Sequence, residues 1–94
     1  NIHHGFLPSF KGVDPYGQAL KKGVKVIGST AHFVDNQLDE GAIIAQEVEY
    51  ISPKDNLQDL IRKGKHAEKE ALAHALTSYI DYRIIQHENK TIVF

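Results

Sequence analysis

Hydrophobic and polar positions along the chain fall into blocks of different period. Residues 1–14 mix Gly, Pro and His with no sustained repeat and read as a loop with a short extended start. Residues 15–22 read as a short helix. Asp14 is its N-cap, Pro15 takes the first helical position and Gly23 is the stop. Residues 24–34 are β-branched and alternating, so they predict a strand, with Gly28 marking a bulge or a close backbone approach. After a polar loop over 35–41, residues 42–51 predict a second strand, in which Val48 and Tyr50 alternate with Glu47 and Glu49. The short loop makes antiparallel pairing the simplest arrangement. Ser52, Pro53 and Asp55 read as the start of a long helix reaching about Asp81. Leu57, Ile61, Leu72, Leu76, Tyr79 and Ile80 lie near one face as its core side, and Gly64 is a point of kinking or splitting. Lys63, Lys65 and Lys69 read as a solvated face, and Glu68 as a solvated carboxylate beside the apolar side. Residues 83–86 and 91–93 suggest a hairpin, with Ile92, Val93 and Phe94 packing as its last strand.

This order of loop, helix, strand, strand, helix and hairpin is α/β material. It falls short of an independent parallel sheet with both faces covered. The chain has 94 residues, opens at Asn1 and contains no Met, so further sequence is expected upstream, and residues 1–94 read as the later part of one domain. Composition changes little: 41% hydrophobic, 24% charged and net charge −1 is ordinary globular material. Nothing in that balance calls for nucleic acid or an acidic membrane as partner. The absence of cysteine excludes disulfides, thiolate metal sites and Cys nucleophiles within this stretch. No apolar run approaches the ~20 residues that span a bilayer, and the default compartment is the cytoplasm.

Two segments carry candidate chemistry. In an extended Asn1-Ile2-His3 the first and third side chains share one side. An amide donor beside an imidazole suits an acyl reaction, the amide holding a developing oxyanion and the imidazole moving protons. Isolated Asn and His residues two apart are more often plain loop residues. His3 and His4 also raise a metal site, to which His32 and Asp39 could add ligands, although neighbours on an extended chain diverge and no H-E-x-x-H spacing is present. The second segment runs from His32 through Asp39 to Gly41. A carboxylate on a loop between strands is ordinarily a solvated turn residue. His32 reads equally well as a satisfied strand-end histidine.

Taken together, NIHHxFLPxFxG at 1–12 and AHFV…LDEGxII at 31–44 resemble the folate-dependent formyltransferase family. The first motif matches at Asn1, Ile2, His3, Leu7, Pro8, Phe10, Lys11 and Gly12, the second at His32, Val34, Leu38, Asp39, Gly41, Ile43 and Ile44. Gly5 departs from the family's usual Ser, and Leu7 and Pro8 stand where the family commonly has a cis bond. The resemblance implies an α/β fold: the C-terminal part of a Rossmann-like formyltransferase domain, a strand pair with a long helix and a C-terminal hairpin. It implies that Asn1 holds the formyl oxygen, that His3 is the general acid, and that Asp39 orients His3 and activates the nucleophile. It puts His32 and Gly41 on the substrate-binding side, with no metal and no cofactor besides the folate substrate.

Within the family the chain is most similar to the deformylase branch. The residues that carry this are His3 and His4, then Pro15, Tyr16, Gln18 and Ala19, the stretch 23–32, and the closing NKTIVF at 89–94. That likeness implies hydrolysis of 10-formyltetrahydrofolate to formate and tetrahydrofolate. Transfer to an amine such as glycinamide ribonucleotide stays open, because no acceptor-binding phosphate loop is in view. So does a non-catalytic fragment that only assembles with its missing N-terminal half. An exposed sheet edge would favour association with another chain, including a homo-oligomer.

Overall fold

The computed structural model describes the backbone of residues 2–3 together with residues 14–34 and 41–94. Seven elements follow in order: β1 (Ile2–His3), α1 (Pro15–Lys22), β2 (Val26–His32), β3 (Ile43–Tyr50), α2 (Leu57–Ile80), β4 (Ile84–His87) and β5 (Lys90–Val93). β1, β2 and β3 form one antiparallel sheet with β2 in the middle, and β4 pairs with β5 as a separate hairpin. The mixed architecture agrees with the α/β expectation, and β1 extends the expected strand pair to three.

α1 forms where its local signals say. Asp14 accepts from the Gly17 N–H through its carboxylate at 3.1 Å, Pro15 opens the helix, and Gly23 closes it at φ 73. Its Ala19 packs with Ile27 of β2 and Leu60 of α2, flanked by Tyr16, Val24 and Ile51. A second cluster joins Ala31 of β2 to Ala71 and Ala75 of α2. Ile27, Ser29 and Ala31 therefore face α2, and alternation turns Gly28 and Thr30 to the other side.

α2 corrects four expectations. It begins at Leu57, capped by a reciprocal box in which Asn56 accepts from the Asp59 N–H and Asp59 accepts from the Asn56 N–H. The earlier Ser52, Pro53 and Asp55 form a turn instead. In it Ser52 N–H donates to Asp55 at 2.8 Å, and Lys63 reaches back to Asp55 at 2.6 Å and to the Tyr50 carbonyl at 2.8 Å. Lys63 is thus a staple rather than a member of a solvated face. Gly64 does not split α2, which is one continuous helix. The buried face is Leu60, Gly64, Ala67, Ala71, Ala75 and Ser78, whereas Leu72, Leu76, Tyr79 and Ile80 are exposed. Small residues win the sheet-facing positions because they let the helix backbone approach β2 closely.

In β3 the charged alternate positions are the ones that face α2. Glu47 and Glu49 lie on the α2 side, where they meet His74 at 3.3 Å and His66 at 2.9 Å. Val48 and Tyr50 are exposed. The irregularity in the β2/β3 register falls between Ala31 and His32, not at Gly28. In the hairpin, Ile92 and Phe94 stay largely exposed rather than packing, while the Thr91 hydroxyl donates to the Ile43 carbonyl and ties β5 to the start of β3. No helix among the described residues is long and apolar enough to cross a membrane.

Candidate active site

Of the candidate residues, the backbone of His3 and all of His32 and Gly41 are described, and they lie near the C-terminal end of β2. Register sets Ile2 opposite Ala31 and His3 opposite Thr30, so the backbone of His3 lies beside the last residues of the central strand. On the other side of that strand His32 is the partner of Ile43. Sequence spacing alone could not have shown this meeting, since Thr30 lies 27 positions after His3 and β1 reaches β2 only through the sheet. The side chain of His3 is outside the described residues. So are Asn1, Asp39, the possible metal partner His4, Gly5, and the Leu7 to Pro8 bond.

The loop that carries Asp39 is fixed at both ends. Phe33 N–H donates to the Ala42 carbonyl at 2.9 Å, closing the loop across its base. Gly41 is buried against this closure. A Cβ built there would overlap the Phe33 carbonyl oxygen and lie 2.6 Å from its carbon, with His32 Nδ1 at 3.4 Å. The backbone approach that Gly41 permits therefore holds the two ends of the loop together. Gly41 has this structural role whatever it contributes to substrate binding.

His32 is 2% exposed and places Nδ1 2.8 Å from the Phe33 carbonyl oxygen. A carbonyl can only accept, so Nδ1 is the donor in this bond. His32 thus ties the end of β2 to the residue that follows it, Phe33.

Thr30 and Gln46 were not singled out in the sequence. Thr30 is fully buried, and Gln46 Nε2 donates to its hydroxyl at 3.1 Å. Because Thr30 is also the register partner of His3, the three positions form one row across the sheet. Only the pairing register, which no local motif encodes, would have pointed to them. Beyond the loop base, Phe33, Tyr79, Ile80, Tyr82, Ile84 and Gln86 line an open groove of about 780 Å³. Phe33 and Tyr79 meet edge to face there, with ring centroids 6.4 Å apart. Among the described residues no group of three His, Asp or Glu side chains gathers as a metal site.

Comparison with known proteins gives a consistent picture. The formyl transferase family profile matches residues 1–76. The chain is 51% identical over its whole length to a formyltetrahydrofolate deformylase of Synechocystis sp., of which it covers 33%. It superposes with a TM-score of 0.94 on the crystal structure of a formyltetrahydrofolate deformylase from Pseudomonas syringae, at 48% identity, covering all of this chain and 32% of that one. It also matches a phosphoribosylglycinamide formyltransferase from Anaplasma phagocytophilum, with a TM-score of 0.89 and 32% identity over 99% of this chain and 46% of that one. The chain thus spans about a third of the length of the deformylases it matches.

Proposed function

The chain belongs to the formyl transferase family, and from that premise we propose that it is the part of a 10-formyltetrahydrofolate hydrolase that carries the reacting side chains. The observation that carries the reading is its likeness along the whole chain to deformylases, at 45–51% identity, against 28–41% for the glycinamide ribonucleotide formyltransferases it matches.

In this reading water attacks the formyl carbon, with Asp39 as general base. The Asn1 amide donates to the formyl oxygen as it gains negative charge. His3, held beside Thr30 at the end of β2, protonates the departing tetrahydrofolate nitrogen as the C–N bond breaks. The products are formate and tetrahydrofolate. The folate is substrate, and the chemistry calls for neither a metal nor a further cofactor. His32 and Gly41 keep the Asp39 loop at its base, beside the bound folate. The rest of the polypeptide, about two thirds of the length in the relatives, is the partner that completes the pocket, so residues 1–94 alone are expected to turn over little or no substrate.

The shared fold with the phosphoribosylglycinamide enzyme supports one second reading, formyl transfer to an amine. A formate-release assay on the complete polypeptide separates the two. Hydrolysis predicts steady formate release in water alone, falling by roughly 10²–10⁴-fold in Asp39→Ala and His3→Ala and ~10²–10³-fold in Asn1→Ala. Slow release in water with rapid consumption once glycinamide ribonucleotide is added would establish transfer instead. Unchanged rates in all three variants would remove the catalytic assignment.

A further inference from the structure

Three exposed side chains stand together at the C-terminal end of α2. Tyr79 is 63% exposed, Ile80 69% and Tyr82 93%. With Phe33, Ile84 and Gln86 they line the open groove. Contiguous exposed apolar surface marks a place that something else covers. Tyr82 is also held at φ 56, where L side chains are uncommon. Its N–H donates to the Tyr79 carbonyl and the Arg83 N–H to the Ser78 carbonyl, which closes α2. Glycine ordinarily takes that closing position. The backbone therefore gives no reason for an aromatic residue there, whereas a docked segment does, since tyrosine is enriched at the anchor points of protein interfaces.

Strand direction sets which segment arrives nearest. β1 runs antiparallel to β2, and Ile2 pairs with Ala31, one residue before His32. The chain therefore enters the sheet at the end where β2 runs out, level with His32 and Phe33. Ala31 faces α2, and Phe33, two residues on, keeps that side and meets Tyr79 edge to face. Polypeptide leading into Ile2 thus arrives beside the mouth of the groove. There is polypeptide to fill it, because the chain spans about a third of the deformylases it matches and superposes on the longer one with a TM-score of 0.94. The other exposed apolar pair, Val48 and Tyr50, lies towards the far end of β3, where Tyr50 pairs with the first residue of β2.

We propose that the groove bounded by Phe33, Tyr79, Ile80 and Tyr82 is the docking surface for the polypeptide segment that leads into β1, which lays apolar side chains against the two tyrosines. The docked segment covers the end of α2 and joins the larger part of the polypeptide to this third of it. The proposal rests on the reading that the rest of the polypeptide completes this chain, and not on water as the nucleophile.

The test uses the complete polypeptide with the photoreactive residue p-benzoylphenylalanine in place of Tyr79, of Tyr82 or, as a control, of Tyr50. After irradiation a denaturing gel separates joins within one chain from joins between two, and mass analysis of the digest identifies the joined peptides. Positions 79 and 82 are expected to capture the peptide directly preceding Asn1 of the same chain, and position 50 to miss it. Thermal unfolding of Tyr82→Gly gives a second readout. Glycine suits the backbone at this position, so a residue that only caps α2 would yield a raised midpoint, whereas loss of a docked ring lowers it. Joins to a second copy, joins to a segment elsewhere, or no join from either position would overturn the proposal. So would a Tyr82→Gly midpoint at or above that of wild type. Capture of the preceding peptide in a polypeptide that releases no formate would uphold the docking surface and remove the hydrolytic reading.

Discussion

Replacing Gly41 with Ala adds one methyl at the base of the Asp39 loop. Gly41 is not in the left-handed region, which Gly23 alone among the described glycines occupies, so conformational freedom is not what the site needs. Space is. The new Cβ would overlap the Phe33 carbonyl oxygen and lie 2.6 Å from the carbonyl carbon, where carbon atoms normally sit ~3.5–4.0 Å apart. The two chain segments must therefore part by about 1 Å. That stretches the Phe33 to Ala42 hydrogen bond, now 2.9 Å, past the useful range. Its loss costs about 1 kcal/mol, and the displaced backbone about 1–3 kcal/mol more. A destabilisation of roughly 2–4 kcal/mol follows. The same shift carries the end of the loop away from His32 and the end of β2, so kcat is expected to fall on the order of 100-fold. Denaturant unfolding of the complete polypeptide, with formate release at saturating substrate, measures both. A stability change under about 0.5 kcal/mol together with an unchanged kcat would show that the loop base does not depend on this close approach.

Other consequences follow from the same contacts. The Lys63 ammonium, and then the Ser52 N–H, hold the Asp55 carboxyl below its ordinary value. A depressed carboxyl stabilises the fold above its unfolded value and loses that stabilisation as the pH falls through the folded one. Asp55→Asn is therefore expected to lower the thermal midpoint near neutrality, with the gap to wild type closing below about pH 4; a gap constant with pH would contradict this. The Tyr16 phenol behaves oppositely, because its value is raised to about 12. It favours the fold fully below the ordinary tyrosine range near 10 and ceases to do so as the pH rises through 12. Ultraviolet titration of phenolate should show one late-ionising tyrosine that disappears in Tyr16→Phe. Ala71 is fully buried against β2, so Ala71→Leu should destabilise by about 1–3 kcal/mol in denaturant unfolding. An Ala71→Leu protein as stable as wild type would show that α2 is not held close to the sheet.

How much of this could be read in advance depended on whether the signal was local. α1 was legible to the residue, because Asp14, Pro15 and Gly23 each act within a turn of the helix they bound. The start of α2 was not, since Ser52 with Asp55 and Asn56 with Asp59 both satisfy the capping pattern. The first pair makes a turn stapled by Lys63, a partner on the far side of that turn. The core face of α2 was misjudged because hydrophobicity ranks Leu72 and Leu76 above Ala71 and Ala75, whereas close approach to the sheet favours the small residues. Gly64 looked like a break for the same reason: its partner, Tyr16, sits on another helix. The two motifs were visible as residue strings. The meeting of His3 with the end of β2, the row through Thr30 and Gln46, and the seat of Gly41 under Phe33 are products of register and closure.

In the hydrolytic reading water is the nucleophile at the formyl carbon. A single turnover of 10-formyltetrahydrofolate by the complete polypeptide in oxygen-18 water, with mass analysis of the products, tests it directly. Hydrolysis gives formate carrying one labelled oxygen per molecule, formed without an amine and lost in Asp39→Ala. Release of tetrahydrofolate only when an amine is present, with the unlabelled formyl group recovered on that amine, would contradict it.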